Sequence, residues 1–153
     1  MSFLPNYCNF NFDKVTFETY TNLAIGDKIN ILGTINNTSA VISNGSIILN
    51  NNSIWKLEAI PMFNYNFTTS NNGVLLFSFN DGVQNIGMPS NNRSKYKGIY
   101  MHGYASLFLT PEDFTSSTMT IDMICTNLNT LAVRSVEVGD GTPYLNIIEI
   151  PID

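Results

Sequence analysis

His102 is the single histidine of the chain, and Cys8 and Cys125 are its two cysteines. Nucleophilic catalysis through histidine requires the imidazole to sit beside a Ser or Cys and an orienting acid. His102 instead stands between Tyr100 and Tyr104 in an alternating apolar run, which predicts a packing or hydrogen-bonding role, with a pH-sensitive contact as the functional alternative. One histidine and two distant cysteines do not make a nitrogen–sulfur metal site. With no motif between them, Cys8 and Cys125 are read as two buried free thiols rather than a disulfide. Calcium needs only oxygen ligands, and Asp81 and Asp140 stand in turns at strand ends, but neither lies in an ion-binding loop. Glu112 and Asp113 are sequence neighbours, which suits the cap of a turn better than a converging pair of catalytic acids. No glycine-rich phosphate loop is present. These residues point away from an enzyme, and no cofactor is expected; calcium is the one ion for which ligands can be named.

Two further groups carry binding chemistry. Arg93, Lys95 and Lys97 with the interleaved Tyr96 form the one basic cluster, in a segment that reads as a loop before a strand. It suits an acidic partner or an anionic glycan, with Tyr96 as a stacking ring; the plainer reading is a solvated loop. At the N-terminus, Phe3, Leu4, Tyr7, Phe10 and Phe12 stand among asparagines in an arm spanning residues 1–12. Large apolar side chains on a terminal arm are unfavourable in water, so the arm is expected to dock onto a neighbour.

The elements that would position these residues are strands. Ile29, Ile31 and Ile35 alternate with Lys28, Asn30 and Thr34; Trp55, Leu57, Ala59, Phe63, Tyr65 and Phe67 share one face of Ile54–Phe67; Met119, Ile121, Met123 and Cys125 share one face of Thr118–Thr126. Pro61 predicts a bulge or an edge position. Asn44-Gly45, Asn72-Gly73, Asp81-Gly82 and Gly139-Asp140-Gly141 read as turns that tolerate positive φ, and their spacing predicts eight to ten short strands in a sandwich or jelly roll. Pro111–Phe114 could start one helical turn and no more. In three segments, Gly73–Phe79, Gly98–Thr110 and Tyr144–Ile150, both faces are apolar. In the second, Ile99, Met101, Ala105, Leu107 and Leu109 oppose Tyr100, His102, Tyr104 and Phe108; in the third, Leu145 and Ile147 oppose Tyr144, Ile148 and Ile150. A sandwich strand has one inner face, so its second apolar face needs another partner. Without helices the natural partner is another subunit, although a loop or the N-terminal arm could fold over it instead.

Composition agrees with a folded domain that is mostly covered. The chain has 153 residues, 44% hydrophobic and 12% aromatic, enough for one domain with a real core. Only 12% of residues are charged, against about 25% in ordinary soluble domains, while roughly 22 are asparagine. An amide surface is cheaper to bury than an ionic one; an AT-rich genome would also favour Asn, but it should enrich Lys, which is scarce. With seven basic residues and a net charge of −5, no extended nucleic-acid face is expected. No long apolar run and no basic leader are seen, so neither a membrane span nor a signal peptide is expected. Six Asn-x-Ser/Thr triplets, at Asn36, Asn37, Asn44, Asn51, Asn66 and Asn92, are read as coincidences of an Asn-rich chain.

Four stretches in order carry a family likeness: Gly26–Ile31, Ser46–Phe63, Gly103–Pro111 and Tyr144–Ile150. The chain resembles the C1q/TNF-like jelly-roll family, particularly its short phage and large-virus members, from about Gly26 to Ile150. It lacks the collagen-like or coiled-coil stalk, and residues 1–25 match no part of the pattern. The resemblance implies an all-β, antiparallel jelly-roll β-sandwich of about ten strands that trimerises about a threefold axis, with binding or structural roles. Combined with the two-sided strands, it places the trimer interface on Tyr100, His102, Tyr104, Phe108, Tyr144 and Ile148. The expected organisation is an N-terminal arm and first strand (1–25) ahead of a jelly-roll domain (26–153). The expected role is a non-catalytic virion structural protein: a fibre head, capsid decoration or minor capsid component, made in the host cytoplasm. Its partners would be its own copies, other capsid or fibre proteins of the particle and, at the host surface, a glycan or receptor. A free-standing lectin-like module is the alternative, since fold does not decide function.

Overall fold

Residues of alternating polarity build two sheets that face each other. A computed structural model describes residues 9–18, 24–60, 62–64, 73–90, 92–94, 100–102, 104–128 and 144–152. Among these residues the strands are β1 (Asn11–Phe17), β2 (Lys28–Ile29), β3 (Ile31–Leu32), β4 (Val41–Ser43), β5 (Ser46–Asn50), β6 (Ser53–Ile60), β7 (Met62–Asn64), β8 (Gly73–Asn80), β9 (Asn85–Ile86), β10 (Asn92–Ser94), β11 (Tyr100–His102), β12 (Ala105–Leu109), β13 (Thr118–Leu128) and β14 (Tyr144–Pro151). Sheet I has the order β12-β6-β14-β1-β3; sheet II has the order β10-β8-β13-β5-β4, with β2 also on β13 and β9 also on β8. Every pairing between these strands is antiparallel. The first and last strands lie side by side, and from β5 onward the chain passes repeatedly from one sheet to the other. That wrapping is an antiparallel jelly-roll sandwich.

Several short strands are parts of one longer run. β2 pairs with β13 in sheet II and β3 pairs with β1 in sheet I, so the chain turns the corner of the sandwich at Asn30. The expected strand to Ile35 stops at Leu32, because Gly33 takes φ +131° directly against Val15. β7 and β11 prolong the β6–β12 ladder: Ala59 pairs with Ala105 and Met62 with His102, three residues further on in one strand and three earlier in the other. The register is the same on either side of Pro61, which itself lies outside the described residues, as does the bulge or edge position expected there. The N-terminal arm is also shorter than expected. Asn11 and Phe12 open β1, which pairs with β14 from Asn11↔Glu149 to Thr16↔Tyr144.

The core lies between the sheets. Sheet I contributes Phe17, Ile31, Trp55, Leu57, Leu107, Leu145 and Ile147, and sheet II contributes Ile29, Ile47, Leu49, Phe77, Phe79, Ile121 and Met123, all buried. These side chains follow the period-two pattern, and each fully buried one of this size stabilises the fold by about 1.5–3 kcal/mol. Trp55 is completely buried and its indole N–H donates to the Asn50 carbonyl at 2.8 Å, which satisfies its one polar atom. Cys125 is buried and in no disulfide; Cys8 lies outside the described residues. The Asn44-Gly45 turn joins β4 to β5 with φ +51° and +76°, the two-residue hairpin turn that this dipeptide favours. Pro111–Asp113 forms a single 3₁₀ turn, capped by Asp113 Oδ2 accepting from the Thr110 N–H at 2.8 Å.

Candidate functional site

The outward face of sheet I is where four of the six sequence-derived interface residues meet. Pairing aligns them in rows across the strands. Phe12, Ile148, Lys56 and Phe108 form one row. Lys14, Asn146, Glu58 and Ser106 form the next, and Thr16, Tyr144 and Ile60 the third, beside Tyr104. Ile150 opposite Ile54 extends the apolar area at one end. Phe108 is 61% exposed, Tyr104 43% and Phe12 40%, while Tyr144, Ile148, Ile150, Ile54 and Ile60 are half-buried. A face this rich in large apolar side chains is what the two-sided strands predicted.

Few charges interrupt it, and each has a partner in its own chain. Lys14 Nζ lies 4.1 Å from the centre of the Tyr144 ring, a cation–π contact between β1 and β14. Lys56 Nζ stands 3.9 Å from Glu58 Oε1, an exposed pair of small energetic weight. Tyr104 Oη donates to Glu58 Oε2 at 2.9 Å. The hydrogen bond to Glu58, with burial and the carboxylate's charge, holds the Tyr104 phenol above its ordinary pKa, so it remains a neutral donor. The polar row thus lies between apolar rows and is largely satisfied before any partner arrives.

Of the six expected interface residues, Tyr104, Phe108, Tyr144 and Ile148 share this face. Tyr100 and His102 belong to β11, opposite Asn64 and Met62, and their side chains lie outside the described residues. Phe12, expected to dock as part of a free arm, is built into the face; Phe10, 59% exposed, precedes it. Phe3, Leu4 and Tyr7 lie outside the described residues. Arg93 is in strand β10 opposite Val74 rather than in a loop, because the β8 ladder continues through it; Lys95, Tyr96 and Lys97 lie outside the described residues. For calcium, Asp140 also lies outside them. Asp81 Oδ1 accepts the Val83 and Gln84 N–H groups at 2.9 Å each, which lowers its pKa and commits that oxygen to closing a turn. Among the described residues no cluster of three or more His, Cys, Asp or Glu side chains could hold a metal ion, and no helix is long and apolar enough to cross a membrane.

Sequence reasoning missed the polar row and two buried acids. Asp13 and Glu149 are 4% and 3% exposed on the inward side of β1 and β14. A signal was present: Asp13 shares its parity with Val15 and Phe17, and Glu149 with Leu145 and Ile147. A carboxylate on the core parity of a strand must be satisfied from elsewhere in the fold.

What these features define is an antiparallel jelly-roll sandwich with an apolar outer face on one sheet. No family model matches the chain, and no curated protein matches it. Among solved structures, murine APRIL is similar at 8% identity, covering 93% of this chain and 100% of its own, with a TM-score of 0.49. The jelly roll is defined by the strand order itself and does not depend on that likeness.

Proposed function

We propose that the chain is a non-catalytic virion structural subunit, a fibre head, capsid decoration or minor capsid component, that works as a homotrimer assembled through the outer face of sheet I. The observation that carries this reading is the apolar face formed by Phe12, Tyr104, Phe108, Tyr144 and Ile148, which the single chain leaves partly in water. A second copy is the fitting occupant. Each charged side chain on the face has a contact within its own chain, Lys14 with the Tyr144 ring and Lys56 with Glu58, and apolar groups make up most of what a like face would meet. Among the described residues a polyanion would find only Lys14 and Lys56 there. The low charge and high asparagine content support a subunit covered by neighbours in a particle, and the resemblance to viral members of the jelly-roll family supports the virion setting.

Light scattering across a dilution series tests the reading. A stable mass near three times the 17.0 kDa chain is expected. Ile148→Asp, in the centre of the face, should give a folded monomer with unchanged circular dichroism. A wild-type monomer at every concentration, or an Ile148→Asp protein that still assembles, would remove the proposed interface.

A further inference from the structure

Asp13 and Glu149 are buried carboxylates without a basic partner among the described residues. Both are filled by one loop, residues 36–39, which belongs to the connection from β3 in sheet I to β4 in sheet II. Asp13 Oδ1 accepts the Asn36 N–H at 3.0 Å and the Asn37 N–H at 3.2 Å. Its Oδ2 accepts the Asn37 N–H at 3.1 Å and the Thr38 N–H at 2.7 Å. The next amide, Ser39 N–H, turns to Glu149 at 3.2 Å from Oε1 and 3.3 Å from Oε2, and the Ser39 hydroxyl also donates to Glu149. Ser53 Oγ and Asn11 Nδ2 complete the Glu149 shell at 3.2 Å each. Four consecutive backbone amides of a loop are thus spent on two anions. Two side-chain contacts add to these: Asn37 Nδ2 donates to the Phe12 carbonyl at 3.0 Å and Asn50 Nδ2 to the Ser39 hydroxyl at 2.7 Å.

We infer that residues 36–39 form a latch across the corner between the sheets, held shut by the negative charge of Asp13 and Glu149 and released when that charge is removed. Hydrogen bonds from amides to a carboxylate are stronger than those to a neutral acceptor. A protonated carboxyl also offers one acceptor fewer and presents an O–H to donors that cannot receive it. The other groups around the latch do not substitute for the charge. Lys14, next to Asp13, is turned outward over Tyr144. On β14 Glu149 is the one ionisable group facing inward, β6 presents Ser53 there, and the loop itself holds only Asn, Thr and Ser. The two anions therefore face each other's surroundings with neutral donors alone, an arrangement favourable only while the loop is in place.

The sign of the pH dependence follows from Asp13. Burial pushes its carboxyl up, but the amides of Asn36, Thr38 and Asn37 and the Thr38 hydroxyl together outweigh burial and hold it below the ordinary carboxylate value. A group with a depressed folded pKa stabilises the fold above its unfolded value, and that contribution fades as pH falls through the folded one. The Asp13 side of the latch therefore stays shut at neutral and mildly acidic pH and loosens in stronger acid, below the ordinary Asp range.

Amide hydrogen exchange at residues 36–39, scaled to the intrinsic rate at each pH, tests this on the wild-type chain. Protection is expected to hold from about pH 7 to about pH 5 and to fall in stronger acid before the core amides of β6 and β13 lose theirs. Asp13→Asn, which keeps the size and removes the charge, should speed exchange in the loop by about tenfold or more at neutral pH while the core stays protected. If that variant does not fold, Glu149→Gln and the wild-type acid series carry the test. Loss of loop protection between neutral and mildly acidic pH, full protection in folded charge-removal variants, or opening only together with the core would each overturn the latch.

Discussion

Gly87 and Gly82 both have positive φ, +76° and +94°, yet they meet different surroundings. At Gly82 an added Cβ has open space within 4 Å, so only the backbone conformation opposes a side chain. At Gly87 the same atom would lie 2.3 Å from the Ser106 carbonyl oxygen and 3.2 Å from Leu107 Cα, both backbone. That crowding has a cause in the sheet, since Met88 N–H donates to the Ser106 carbonyl at 2.8 Å and Ser106 N–H returns a bond to Met88 at 3.0 Å. The bridge brings the chain against β12 and leaves no room for a methyl group. Gly82→Ala is therefore expected to cost about 1 kcal/mol, and Gly87→Ala distinctly more, about 3 kcal/mol, with part of it from moving β12. Urea denaturation of the two variants side by side measures the difference. Equal losses would mean that the bridge adjusts freely.

At the scale of the element, β14 shows how a strand with two apolar faces divides its work. Leu145 and Ile147 point into the core and are fully buried, while Ile148 and Ile150 lie half-buried on the outer face. Ile147→Ala should lower the stability of the subunit by about 2–5 kcal/mol by leaving a cavity. Ile148→Ala, one residue away, should barely change the monomer's unfolding midpoint but should weaken self-association in sedimentation experiments. An Ile148→Ala chain that unfolds as readily as Ile147→Ala would show that the outer face is a second core within one chain. The inward pattern of β6, β13 and β14 was readable because one buried face imposes a strict period of two. The corner at Asn30 and the place of Arg93 in β10 were not, because they depend on which strand lies alongside, and the end of β3 at Leu32 was not, because it follows from the φ that Gly33 takes against Val15. Sequence alternation says which residues share a face but not which strands are neighbours. The rows that place Phe12 beside Ile148 and Glu58 beside Ser106 follow from pairing between distant segments. Asp13 and Glu149 escaped for the same reason: their partners lie 23–25 and 110 residues away in the loop that latches onto them.

For the whole molecule, the charge balance predicts how self-association should respond to salt. Each chain carries a net charge of −5, so copies repel one another at long range. The outer face of sheet I adds no compensating attraction, because Lys14 is engaged with Tyr144 and Lys56 with Glu58 within the same chain. In the proposed assembly the attraction is burial of apolar surface, which a simple salt such as sodium chloride changes little at moderate concentration. Raising ionic strength from about 0.05 M to about 0.5 M shortens the Debye length severalfold and screens the repulsion. Association should therefore strengthen modestly with added salt. An interface held by ion pairs between subunits behaves the opposite way, since screening removes its attraction. Sedimentation velocity across a salt series, at a protein concentration where oligomer and monomer coexist, separates the two. A rising oligomer fraction is the outcome expected of the apolar face. A falling fraction would place charged residues between subunits and move the contact away from the outer face of sheet I.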